Sequence, residues 1–194
     1  MADDKIIDLQ HYQLKSVNDR YDLLVDYCRD NLSTQAQVHK AVLRLVQARN
    51  IEQVLEILAI DLPVILDVDV VRLAMESDIP VDTAYGEQHY SGVVFIDSGA
   101  SDEIFGAQRS VVCVGDAREE PTFAFEQIFV DCDELIESFA LIRLSLENIE
   151  KNIILALGTR HKNRFKTGQS AEILHFLAQI VALQLDKYLD DLSL

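Results

Sequence analysis

The sequence predicts an α+β fold: a central antiparallel sheet flanked by helices, with an N-terminal helical stem ahead of it. Three observations carry that prediction. The last third, Ser138–Leu189, holds two short apolar runs divided by a polar turn and followed by a long amphipathic stretch. The middle alternates short β-branched runs with turns containing Gly, Asp and Pro. The opening segment carries apolar residues at a seven-residue step.

Composition sets the limits. At 194 residues and 49% hydrophobic content, the chain can bury a real core as one domain plus an appendage. It has 17 basic against 33 acidic residues, a formal charge of -16. That field repels a nucleic-acid duplex or an anionic membrane, and leaves room for a basic protein partner. The chain opens Met1-Ala2-Asp3-Asp4 with no secretory hydrophobic region, and apolar runs such as Ile153–Leu157 are too short to span a bilayer. A cytoplasmic protein is expected. Three widely spread cysteines, Cys28, Cys113 and Cys132, imply no disulfide framework and are expected to be reduced.

The stem is assigned to residues 1–34 and the main domain to residues 35–194. Over Lys5–Asn31 the apolar residues Ile7, Leu14, Tyr21 and Cys28 recur every seven positions, with Val17 and Leu24 between them. Carried forward, the step lands on Gln35 and Val42, with Asn31, Val38 and Leu45 at the other seam position. Either one long helix runs through, or two meet near Asn31-Leu32-Ser33-Thr34, where Ser33 or Thr34 would cap the second. The stripe is either the buried face of an ordinary helix or a dimerisation seam built on Leu14, Val17, Tyr21, Leu24 and Cys28. The wide polar faces favour the seam.

Ile51–Ile65 repeats apolar residues at helical spacing and is expected to end near Pro63. Val68–Met75 is rich in β-branched residues and predicts the first strand. Ser77–His89, with Pro80 and Gly86, predicts a loop. Gly92–Ile96 and Ser110–Val114 predict strands, and Asp97–Gly106 between them a turn or a short helix capped by Ser101. Asp116–Pro121 is a charged loop, and Phe123–Val130 concentrates phenylalanine. Phe139–Leu146 and Asn152–Leu157 predict two strands, Glu147–Lys151 their turn, and the remainder a long closing helix.

The order of these elements resembles a GAF domain. Leu155-Ala156-Leu157-Gly158 stands where that family carries an ALG-type triplet, and Phe165 where it places an aromatic after the turn. The stretches FIDSGASDEIFGAQRSVVCVGDA and FEQIFVDCDELIESFALIRL resemble a bacterial GAF-like family known as domain-of-unknown-function family 484. Ser138-Phe139-Ala140-Leu141-Ile142 matches that family's strand entry with one residue inserted. The likeness covers Gln35–Leu189 and implies a GAF-like fold and a homodimer; it brings no established activity.

In such a fold helices bury one sheet face and loops cover the other, with ligands under the loops. Alternation along the Phe139 strand puts Ala140, Ile142, Leu144 and Leu146 toward the helices, and Phe139, Leu141 and Arg143 toward the loops. Arg72 is expected to point the same way. A half-buried arginine needs an anionic or carbonyl partner, either a ligand carboxylate or the nearby Asp131, Asp133 or Glu134. The candidate ligand-binding residues are Arg72, Phe95, Cys113, Phe125, Phe129, Phe139, Leu141 and Arg143. The aromatic group either walls a pocket for a flat or apolar molecule with one anionic group, or fills the core itself.

No metal and no cofactor is expected. Asp131-Cys132-Asp133-Glu134 lacks the glycine and alternating oxygens of a calcium loop, and the five histidines are scattered. Arg160-His161-Lys162-Asn163-Arg164 is a basic patch in an acidic chain, either solvated or docking an acidic partner. There is no G-x-S-x-G, P-loop, G-x-G-x-x-G or H-E-x-x-H motif, so an enzyme is not expected. The expected function is small-molecule sensing or protein interaction through a dimer, with an unidentified ligand and protein partner. A structural adaptor with a self-filled cavity is the alternative. A reductase using Cys113 and Cys132 is more remote, since some GAF-fold proteins reduce free methionine sulfoxide with pocket thiols.

Overall fold

The structure is a computed structural model and describes residues 25, 29, 31–77, 92–118, 125–147, 151–165 and 171–189. By its backbone contacts the chain divides into Met1–Ala36 and Gln37–Leu194. In the first unit residues 31–36 are helical; Leu14, Val17, Tyr21, Leu24 and Cys28 lie outside the described residues.

The second unit opens with α1, helical over residues 37–46, whose Val38, Ala41 and Leu45 are buried at helical spacing. Helix α2 (Ile51–Glu56) starts at Asn50, whose side-chain Oδ1 accepts the Gln53 amide at 2.9 Å. The run extends to Leu66, three residues past Pro63 and one past the expected Ile51–Ile65. A π-helical turn, Ile57–Asp61, passes directly into α3 (Leu62–Leu66), with Pro63 in its first turn. Pro63 has no N–H to donate, and the widened π turn before it lets the helix continue. The helix stops at Asp67, which takes a left-handed conformation at φ 55°.

Among the described residues five strands follow: β1 (Val70–Ser77), β2 (Val93–Asp97), β3 (Val111–Val114), β4 (Ser138–Leu144) and β5 (Ile153–Thr159). They form one sheet in the order β2-β1-β5-β4-β3. Every pairing is antiparallel except β1 with β2, which is parallel with Leu73 opposite Val93. The α+β fold with a mostly antiparallel sheet stands as expected from the sequence, and β2 is the one departure from an all-antiparallel arrangement. Helix α4 (Ala100–Phe105) joins β2 to β3; its N-cap is Gly99, at φ 89°, while Ser101 lies inside the helix. Helix α5 (Phe125–Ile128) and a 3₁₀ turn, Asp133–Leu135, precede β4, and α6 (Ala171–Leu189) closes the described chain.

The sheet separates two cores. On one face, Val71, Leu73, Ala140, Ile142, Leu144, Ile153, Leu155 and Leu157 pack with residues of α1, α2, α3 and α6. On the other, Ala74, Ile96, Val114, Phe139, Leu141, Ile154 and Ala156 pack with α4, α5 and the segment after α5. The alternation read along β4 therefore holds on both faces: Ala140, Ile142 and Leu144 meet the helices, while Phe139 and Leu141 meet the opposite cover. β5 is buried on both faces over its whole length, which explains its continuous apolar run.

Candidate binding site

The face of the sheet away from α6 carries most of the residues the sequence singles out. Phe139 and Leu141 on β4 and Arg72 on β1 share it, Arg72 lying opposite Ala156 in the ladder. Arg143 lies opposite Ile154 on the same face. Phe125 and Phe129 come from α5 and its end. Their rings form a closed group with Phe139: Phe125 sits 5.0 Å from both Phe129 and Phe139, and those two are 5.8 Å apart, all tilted.

Small residues beneath the rings make room for them. A methyl group on Gly158 would lie 2.7 Å from Cε1 of Phe129 and 2.9 Å from Cγ1 of Val70. The glycine that ends the ALG triplet is thus a packing requirement of the aromatic cover.

Two of the eight candidates lie elsewhere. Cys113 stands opposite Ala140, on the helix-covered face, and packs against that core. Phe95 stands opposite Met75 and alternates with Val94 and Ile96, which puts it on the same helix-covered side. Strands of four and five residues carry little pattern of their own, and the register with the neighbouring strand decides their facing.

Both arginines are held by helix carbonyls. Arg72 Nη1 donates to Ile128 O, at the end of α5, at 3.0 Å. Arg143 Nη2 donates to Ser101 O at 3.0 Å, Asp102 Oδ1 at 3.3 Å and Gly106 O at 3.4 Å, and the guanidinium lies 5.1 Å from the ring centroid of Phe105. The partner of Arg143 is therefore α4, and not Asp131, Asp133 or Glu134. The sequence marks Ser101 only as a helix cap and does not single out Phe105; their four-residue spacing on a short amphipathic helix is the signal that joins them.

Around this clamp lies a second polar node. Glu76 at the end of β1 accepts the Ser101 amide at 2.7 Å through one oxygen and the Asn152 side-chain amide at 2.8 Å through the other. Among the described residues, the buried Ser101 Oγ and Arg143 Nε have no hydrogen-bond partner.

Burial disfavours the thiolate form of both described cysteines. Burial raises Cys113 to about 11. Burial also raises Cys132, against the attraction of the Arg72 guanidinium. Cys113 packs on the helix-covered face and Cys132 on the other, so they form no pair. Among the described residues no group of three or more His, Cys, Asp or Glu is placed to hold a metal ion, and no helix is long and apolar enough to cross a membrane.

The basic turn after β5 is stapled to the domain. Arg160 Nε meets Asp69 Oδ1 at 2.9 Å, and Lys162 Nζ meets Asp116 Oδ2 at 2.7 Å and Glu137 Oε2 at 3.4 Å. Arg164 donates to Gln37 Oε1 and Leu66 O.

A five-stranded, mostly antiparallel sheet with a helical layer on one face and an aromatic cover on the other is a GAF-like fold. The chain belongs to the family described as protein of unknown function, DUF484, whose model matches residues 4–190. No curated protein matches it. Among solved structures, free methionine-R-sulfoxide reductase from Neisseria meningitidis in complex with its substrate is 15% identical, with 79% of this chain and 89% of that one covered at a TM-score of 0.51. The fRMsr of Staphylococcus aureus in reduced form is 12% identical, with 77% of this chain and 92% of that one covered and a TM-score of 0.45. The likeness to the Neisseria protein is one of fold. It corrects one expectation all the same: the absence of catalytic motifs does not make this chain a non-enzyme, because the Neisseria protein of shared fold is a reductase.

Proposed function

We propose that this chain is a cytoplasmic GAF-like module of protein interaction that works as a homodimer, with residues 1–34 as its stem. The observation that carries the reading is the outer surface of the helical layer. Leu43 and Val46 on α1 are 65% and 56% exposed, and Phe176 and Leu183 on α6 are 42% and 61% exposed. Large apolar side chains left out on two helices of one layer are the raw material of an interface. The seven-residue apolar step of the stem supports the same reading. On the opposite face the candidate pocket residues are spent internally, the phenylalanines on one another and the arginines on helix carbonyls.

The test is the mass in solution of the wild type and of a Leu43→Glu, Leu183→Glu double variant. A dimer that becomes a monomer with unchanged thermal midpoint supports the reading, and a wild-type monomer at high micromolar concentration ends it. Small-molecule sensing is a second reading, favoured by one observation. The orphaned Ser101 Oγ and Arg143 Nε are two buried polar atoms that an oxyanion could satisfy. Native mass spectrometry on freshly purified protein, against its denatured mass, would reveal a removable ligand.

A further inference from the structure

A groove of about 420 Å³ opens between the end of α1 and the outer side of α2, lined by Arg44, Gln47, Arg49, Gln53, Glu56 and Ile57. The geometry points to a binding site here for the oxyanion group of a small molecule, a carboxylate or a phosphate.

Its volume is that of a small-ligand cleft. Two arginines, Arg44 and Arg49, line it in a chain where acidic residues outnumber basic ones almost two to one. Arg44 is oriented through Nε, which meets Asp61 Oδ2 at 2.6 Å and leaves its two terminal nitrogens available. Among the described residues the Arg49 guanidinium has neither a hydrogen-bond nor an ion-pair partner, although its backbone N–H donates to Gln53 Oε1 at 2.9 Å. That bond occupies the acceptor end of the Gln53 amide, so the donor end is the one free to meet a ligand. The groove therefore offers guanidinium and amide N–H donors, the chemistry that recognises planar or tetrahedral oxyanions. Glu56 on its wall adds a place for an ammonium or hydroxyl on the same ligand.

A second feature coincides with it. Ile57 opens the π-helical turn and Asp61, the anchor of Arg44, closes it. Turns of this kind widen a helix locally and recur at functional sites. Here the turn sets Asp61 where it can hold Arg44 toward the groove.

The test is an NMR titration of the full chain with inorganic phosphate and, separately, acetate, each against chloride at matched ionic strength. Amide signals of Gln47, Arg49 and Gln53 should shift saturably with one oxyanion and not with chloride. Arg49→Gln should weaken that binding by about tenfold, the expected loss for a charge-assisted contact, with the rest of the spectrum unchanged. A larger response to phosphate or to acetate names the ligand class. Shifts equal to those with chloride, or an Arg49→Gln variant that binds like the wild type, would overturn the site. Neither result bears on the homodimer.

Discussion

Gly158 is where the aromatic cover is most easily broken. Its missing methyl leaves the space taken by Phe129, Val70 and Ile136, whose Cδ1 would sit 3.1 Å away. Gly158→Ala is expected to cost about 1–3 kcal/mol through overpacking, seen as a lower urea midpoint with an unchanged slope. A midpoint equal to the wild type would mean the rings give way freely. Cys113 offers a complementary probe. Its thiol, raised to about 11 by burial, should resist iodoacetamide in mildly alkaline buffer until the protein unfolds; prompt labelling of the native protein would contradict its placement. The sequence was readable for Phe139, Leu141 and Arg143, because alternation along β4 is strict and one of its faces is wholly apolar. It marked Gly158 only through the ALG-type triplet and not its packing role, which depends on Phe129 arriving from a distant helix. Cys113 and Phe95 were misplaced for a related reason: the pairing partner, not their own short strand, sets their facing.

Helix α4 owes much of its position to a side chain on another element. Arg143 binds a carbonyl in its first turn and another just past its end while stacking on Phe105. Removing the guanidinium leaves those carbonyls without their donor, and Arg143→Ala should cost about 1–3 kcal/mol. Hydrogen exchange should quicken over Ser101–Gly106 while β5 stays protected; uniform loosening of both would show that the clamp serves the whole sheet. The boundaries of the helices were legible only in part. Leu55, Leu58 and Leu62 announced the helix over Ile51–Ile65, which ends one residue later, but nothing in their spacing marks the π turn inside it. Ser101 looked like a cap, yet Gly99 in a left-handed conformation begins α4. The parallel placement of β2 leaves no local mark, because strand order is settled by which edge of β1 is free once β5 has paired with the other.

The ion pairs that staple the turn after β5 give the domain a defined pH response. Burial alone would raise Asp69, but the Arg160 N–H, the Thr159 hydroxyl and the Arg160 guanidinium outweigh it and hold the carboxyl below 3.8. The Lys162 ammonium likewise lowers Asp116, and Asp116 raises Lys162 above its ordinary 10.5. For the two carboxylates, whose folded values are depressed, the stabilisation is present above 3.8 and lost as pH falls through the folded values. For Lys162, raised on folding, it is present below 10.5 and lost as pH climbs through the folded value. Amide protection at Arg160 and Asn163 should therefore be flat across the neutral range and decline below 3.8 and above 10.5; a decline near neutrality would point to a different staple.

The strand order also bears on how the chain is made. β1 lies between β2 and β5, and its partner residues on β5 are synthesised about eighty residues later. A nascent chain that has cleared the ribosome only through β4 holds β1 with one edge bare and no central strand to close the sheet. The helices preceding β1 meet the same delay, because their core includes β5 and α6. The sheet described here cannot close until β5 has emerged, so every strand made before it waits with the inner edge of β1 unpaired.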